Sequence, residues 1–120
     1  MIRFIQFINE NDEYVYHATS HENLQDIKHD GKLKTHKPWH GTDQSSWPDG
    51  STEKRSYWGH NEKHVAPFHP EHGKPVVIRA KREHVQPKDE RGTGDLYTTK
   101  HVHAKHLEYH HEGAWHKLTD

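Results

Sequence analysis

Hydrophobic and polar positions alternate in short runs along this chain, and the pattern predicts short strands and helices joined by polar turns. Tyr14-Val15-Tyr16-His17-Ala18-Thr19 reads as a strand of β-forming residues ending in polar ones. A helix is expected directly after it, from about Ser20 to Asp30. Ser20 is a good N-cap, Leu24 and Ile27 share one helical face, and Gly31 sits where a helix needs a left-handed residue to stop. Before this unit, residues 2 to 8 predict another strand and residues 9 to 13 a polar turn.

Between Lys34 and Lys54 no apolar period is visible, and Pro38, Trp39, Gly41, Trp47, Pro48 and Gly50 punctuate a long loop. A loop of that length in a small domain is more often functional than idle, so it is expected to border a ligand cleft. Arg55-Ser56-Tyr57-Trp58-Gly59 predicts a short strand, and Asn61 to Val65 a brief helix stopped by Pro67. Pro75 to Lys81 is the clearest strand, alternating too little at its start for an exposed ribbon. Gly92-Thr93-Gly94 bends the chain into Asp95 to Thr99, and Leu107 to His110 with Ala114 to Leu118 predict a hairpin around His111-Glu112-Gly113. The expected architecture is one α+β domain over residues 1 to 120, a small split and mostly antiparallel sheet with short helices.

Composition narrows the partners. The chain has 120 residues and 28% hydrophobic ones, enough for a modest core. Lys plus Arg number 17 against 18 Asp plus Glu, so no overall field singles out nucleic acid or an anionic membrane. The absence of cysteine excludes a disulfide framework and thiolate zinc sites. The opening apolar stretch is too short and interrupted for a signal peptide or a membrane span, so a soluble cytoplasmic protein is expected. Sixteen histidines are dispersed along the chain, which makes its charge respond steeply to acid near the ordinary imidazole pKa of ~6.5.

The Tyr-x-Tyr-His-Ala-Thr-Ser strand end, the capped helix after it, the aromatic strand at Arg55 to Trp58 and the acidic strand Gly94-Asp95-Leu96-Tyr97 follow a recognisable order. In that order the chain resembles the ADP-ribosyltransferase fold, whose members often carry a His-Gly-Thr or His-x-Thr/Ser signature at the end of the first strand. The resemblance implies a soluble transferase that takes NAD as its substrate, with a protein or nucleic acid as possible acceptor. It implies that His17 contacts the ribose and Ala18 and Thr19 lie against the nicotinamide amide. Tyr57 would stack on the nicotinamide ring with Arg55 beside it among the binding residues. Two positions depart from the family pattern. Ala18 stands where a glycine is usual, and the glutamate expected beside Tyr97 is replaced by Asp95 and Leu96, so the acid that steadies the departing ribose is Asp95, or else Glu108 or Glu90. Asp95 and His17 are thus the candidate catalytic residues.

Other functions are open. A non-catalytic relative of the same architecture would bind a nucleotide, a nucleic acid end or a host protein, with Arg55, Arg79, Arg82 and Arg91 available for phosphates. The histidines suggest metal chelation, His101 with His103 along a strand and the pairs His60/His64 and His106/His110 on helical faces. No His-Glu-x-x-His, nucleophile elbow or phosphate loop accompanies them, and no metal ligand set is assigned.

Overall fold

In the computed structural model the described residues are 13–38, 46–47, 50–65, 74–90 and 95–119. The strand expected at 2 to 8, the centre of the long loop, Pro67, Arg91 and Gly92 to Gly94 lie outside them. Strand β1 (Tyr14–Ser20) leads into helix α1 (His21–Asp30), then β2 (Lys32–Leu33), β3 (Ser56–Trp58) and helix α2 (Glu62–Val65). After these come β4 (Pro75–Lys81), helix α3 (Arg82–Val85), β5 (Lys88–Asp89), β6 (Leu96–Thr98) and β7 (Val102–His103). A 3-10 turn (Ala104–His106) and the hairpin of β8 (Glu108–His111) and β9 (Ala114–Lys117) complete the order.

All pairings of these strands are antiparallel. They form a four-stranded sheet in the order β1-β4-β8-β9, a three-stranded sheet β3-β6-β5 and a two-stranded pair β2-β7. The fold is therefore the small, mostly antiparallel α+β architecture expected from the pattern. In β1 and β4 the period-2 rule operates directly: Val15 lies opposite Ala80, His17 opposite Ile78 and Thr19 opposite Val76. That row faces the core, with Val15, Ile78 and Ala80 almost fully buried. The odd-numbered residues of β4 are less covered, so this strand buries one face although it is flanked on both edges.

The local signals in α1 account for its ends. Ser20 Oγ accepts a hydrogen bond from the Asn23 backbone N–H at 3.1 Å, and Gly31 adopts φ 78° while its N–H donates to the Ile27 carbonyl. Leu24 and Ile27 are the buried residues of the helix, packed into the core with Val15, Trp58 and Leu107. In the β8-β9 hairpin Glu112 (φ 52°) and Gly113 (φ 80°) form a two-residue turn of the kind that matches strand twist. His111 belongs to β8 and not to the turn, since it pairs with Ala114. No helix among the described residues is long and apolar enough to cross a membrane.

The two larger sheets meet at β1 and β3. Tyr16 and Gly59 exchange backbone hydrogen bonds of 2.9 and 2.6 Å, which ties the middle of β1 to the end of β3. This junction positions the site.

Candidate functional site

Where the sheets join, a cleft of about 620 Å³ opens, a size ordinary for a small-molecule site. Its walls include His17 and Ala18 from β1, Tyr57 and Trp58 from β3, and Asp95 immediately before β6. Asn23 of α1, His36 from the start of the long loop, and His64 and Val65 of α2 complete it.

His17 is fixed by both backbone and ring contacts. Its Nδ1 lies 2.6 Å from the Tyr57 carbonyl oxygen, and its ring packs against Trp58 with centroids 5.2 Å apart. Because a carbonyl only accepts, Nδ1 carries the proton in this bond. Burial pushes the imidazole below its ordinary pKa, the Tyr57 carbonyl opposes that shift, and the neighbouring His36 adds to it. The neutral ring then has one tautomer, in which Nε2 is a lone-pair acceptor. A hydroxyl is the group such an acceptor receives best.

Tyr57 gives its ring to the cleft and its hydroxyl to a buried network. The hydroxyl bonds the Glu90 carboxylate and also accepts from Arg55 Nη1 at 3.1 Å. Burial, followed by the Glu90 contact, pushes the phenol well above its ordinary pKa, so it stays a donor across the physiological range. Trp47 meets the same ring edge-on at 5.0 Å and is held by its own indole N–H to the Glu53 carbonyl at 2.7 Å. The ring is thus a rigid wall.

Asp95 stands half-exposed, with Oδ1 3.3 Å from His64 Nε2. His64 is placed by a short helix start, in which Asn61 Oδ1 accepts from the His64 backbone N–H at 2.8 Å. Gly59 permits the close approach of that helix, because a Cβ there would sit 2.7 Å from Val65 Cγ1 and 2.8 Å from His64 Cδ2.

Of the residues singled out in the sequence, His17, Ala18, Tyr57 and Asp95 come together in the cleft. Thr19 does not line it: it shares a strand face with His17 but lies further along β1, buried opposite Val76. Arg55 does not line it either. Its guanidinium is enclosed, 3.0 Å from Glu90 Oε2 and 2.6 Å from Glu53 Oε2, with the Tyr97 ring 3.8 Å beneath it. The alternative acids are also elsewhere. Glu90 is buried behind Tyr57 with Arg55, and Glu108 is held by Arg79 at 2.8 Å in the other sheet. Arg55 and Arg79 accordingly serve separate carboxylates and do not form one phosphate cradle.

Asn23, His36 and Val65 are not among the residues the sequence marks for a site, and His64 is marked there only as a metal-chelating partner of His60. Asn23 sits one position before the buried Leu24 of α1, and His36 is anchored by the backbone bridge to Arg55. The Asn61-x-x-His64 spacing, a capping signature, was the available signal for His64. The histidine pairs expected on helical faces, and the one expected along a strand, do not share those elements. His60 precedes α2, His106 lies in the 3-10 turn while His110 lies in β8, and His101 precedes the two residues of β7. No group of three or more His, Cys, Asp or Glu suited to a metal ion occurs among the described residues. No protein-family model, curated protein or solved structure matches the chain.

Proposed function

We propose that the cleft binds NAD and that the protein transfers ADP-ribose from it, or hydrolyses its nicotinamide-ribose bond. The observation that carries this reading is the meeting, in one cleft, of a histidine held as an acceptor, an immobile aromatic ring and a carboxylate at the rim. Breaking the nicotinamide-ribose bond builds positive charge on the ribose carbon as neutral nicotinamide departs. Such a reaction needs orientation of two rings and a negative charge near one of them. In this reading His17 Nε2 accepts from a ribose hydroxyl, Tyr57 faces the nicotinamide ring, and Ala18 is small enough for close approach of that ring to the strand. Asp95 supplies the charge that favours the cationic transition state over the bound substrate. The acceptor is a protein side chain, a nucleic acid or water.

The test is nicotinamide release from NAD by the wild-type protein and Asp95→Asn. The variant preserves shape and hydrogen bonding but removes the charge, so NAD affinity should hold while turnover falls ~10²-fold or more. Unchanged turnover would remove Asp95 from the mechanism. A second reading, nucleotide binding without turnover, is favoured by one feature: Asp95 Oδ1 is already engaged by His64 Nε2 at 3.3 Å. Saturable NAD binding by a wild-type protein that releases no nicotinamide would select it.

A further inference from the structure

A second groove, of about 170 Å³, opens at the end of the four-stranded sheet where Tyr14 pairs with Lys81, and shares no lining residue with the cleft. Its chemistry is one-sided. Lys81 ends β4, His84 lies in α3, Lys105 and His106 in the 3-10 turn, and Lys117 ends β9, so distant stretches of sequence bring cationic groups to one concavity. Lys81 has a carboxylate neighbour in Glu13 at 3.6 Å, whereas Lys105 and Lys117 have none within ion-pair distance among the described residues. Glu108, the acid in the lining, is already compensated by Arg79 at 2.8 Å.

The two histidines of the groove stack face to face, with ring centroids 3.7 Å apart and planes 10° from parallel. Two imidazolium ions at that separation would repel strongly, and an anion beside the two rings would offset that repulsion. Consistent with this, His106 is pushed below its ordinary pKa, by desolvation first and by His84 next. The other charged or titratable groups around the pair fall on both sides. Glu83, 3.7 Å from His84, favours protonation of His106, and Glu108 brings a second carboxylate to the groove. Lys105, Lys81, Lys117 and His103, whose ring meets that of His106 edge-on at 6.5 Å, oppose protonation.

We propose that this groove is an anion site for a phosphoryl group, held by Lys81, Lys105 and Lys117 and tightened by protonation of the stacked His84 and His106. Lysine ammonium groups bind phosphate as point charges, and the concavity is the size of a phosphoryl or pyrophosphoryl group and too small for a whole nucleotide. Anion binding and proton uptake are linked reciprocally, so affinity rises as pH falls through the histidine range. The phosphoryl group comes either from a free small anion or from the backbone of an oligonucleotide.

The experiment is amide NMR titration of the whole protein with pyrophosphate, and in parallel with sulfate, whose own charge is constant across the range used. Shifts should centre on Lys81, His84, Lys105, His106 and Lys117. Affinity for sulfate should rise about tenfold or more from pH ~8 to pH ~5.5, and His84→Asn should flatten that rise. Lys105→Ala with Lys117→Ala, both exposed positions that leave the core intact, should weaken binding about tenfold, while Lys88→Ala leaves it unchanged. A short single-stranded RNA that binds at least about tenfold tighter than pyrophosphate through the same residues identifies the polymer backbone as the source, and equal or weaker binding identifies the small anion. Shifts spread over surface lysines generally, an unaffected double variant, or sulfate affinity that is flat with pH would each overturn the site.

Discussion

His17 connects the stability of the protein with the chemistry of its cleft. Its folded-state pKa is depressed, so between the ordinary value near ~6.5 and the lower folded value the unfolded chain binds a proton that the folded one refuses. His17 therefore leaves stability undiminished above that range and lowers it as the pH falls through it. His106 acts with the same sign, through desolvation first and its stacked partner His84 next. Melting temperature measured from pH ~7.5 to ~5.5 should fall in the wild type and fall less steeply in His17→Gln. Equal slopes would mean that His17 is free to protonate in the folded state. The same protonation removes the Nε2 acceptor, so NAD affinity should decline over the same interval. His17 was conspicuous in the sequence because it follows three strand formers in the strand that leads into a capped helix. Its bond to the Tyr57 carbonyl was not, because it joins residues 40 positions apart.

At the scale of elements, the legible parts were those whose signals are local. The N-cap Ser20, the apolar pair Leu24 and Ile27 and the left-handed Gly31 mark α1 without reference to the rest of the fold. The Glu112-Gly113 turn does the same for the last hairpin. By contrast β2, β5 and β7 are two residues each, too short for an alternation to be visible, and exist through their partners. Gly59 belongs to this second kind, since only the packed structure shows Val65 and His64 occupying the space of its missing Cβ. Gly59→Ala must displace α2, and with it His64 from Asp95. Binding of NAD should weaken about tenfold or more while thermal stability falls by only about 1–3 kcal/mol, measured by calorimetry and denaturant melts. Wild-type affinity in that variant would show that α2 is not part of the site.

Across the whole molecule, the three-stranded sheet is braced behind the cleft by the buried pair of Arg55, just before β3, and Glu90, just after β5, whose side chains are 1% and 2% exposed. Taking two charges out of water is offset only by complete pairing, and here Glu53, the Tyr57 hydroxyl and the Tyr97 ring complete it. Arg55 and Glu90 were readable as charged residues but not as a core, because their contact spans 35 positions and composition places such residues outside. This network explains why Arg55 is unavailable to a ligand while still determining where the Tyr57 ring stands. Glu90→Gln leaves the guanidinium undercompensated and should lower unfolding free energy by about 3 kcal/mol in urea titration, a large fraction of the stability of a small domain. A loss under about 1 kcal/mol would indicate that Glu53 alone suffices.

The central claim, that NAD occupies the cleft between the sheets, is tested most directly by following backbone amides while NAD is added to the folded protein. The account predicts saturable shifts concentrated at His17, Ala18, Tyr57 to Gly59, His64, Val65 and Asp95, abolished by Tyr57→Ala and reproduced by nicotinamide riboside, which carries no phosphate. Shifts confined to Lys81, His84, Lys105, His106 and Lys117, or no saturable shifts at all, would contradict it.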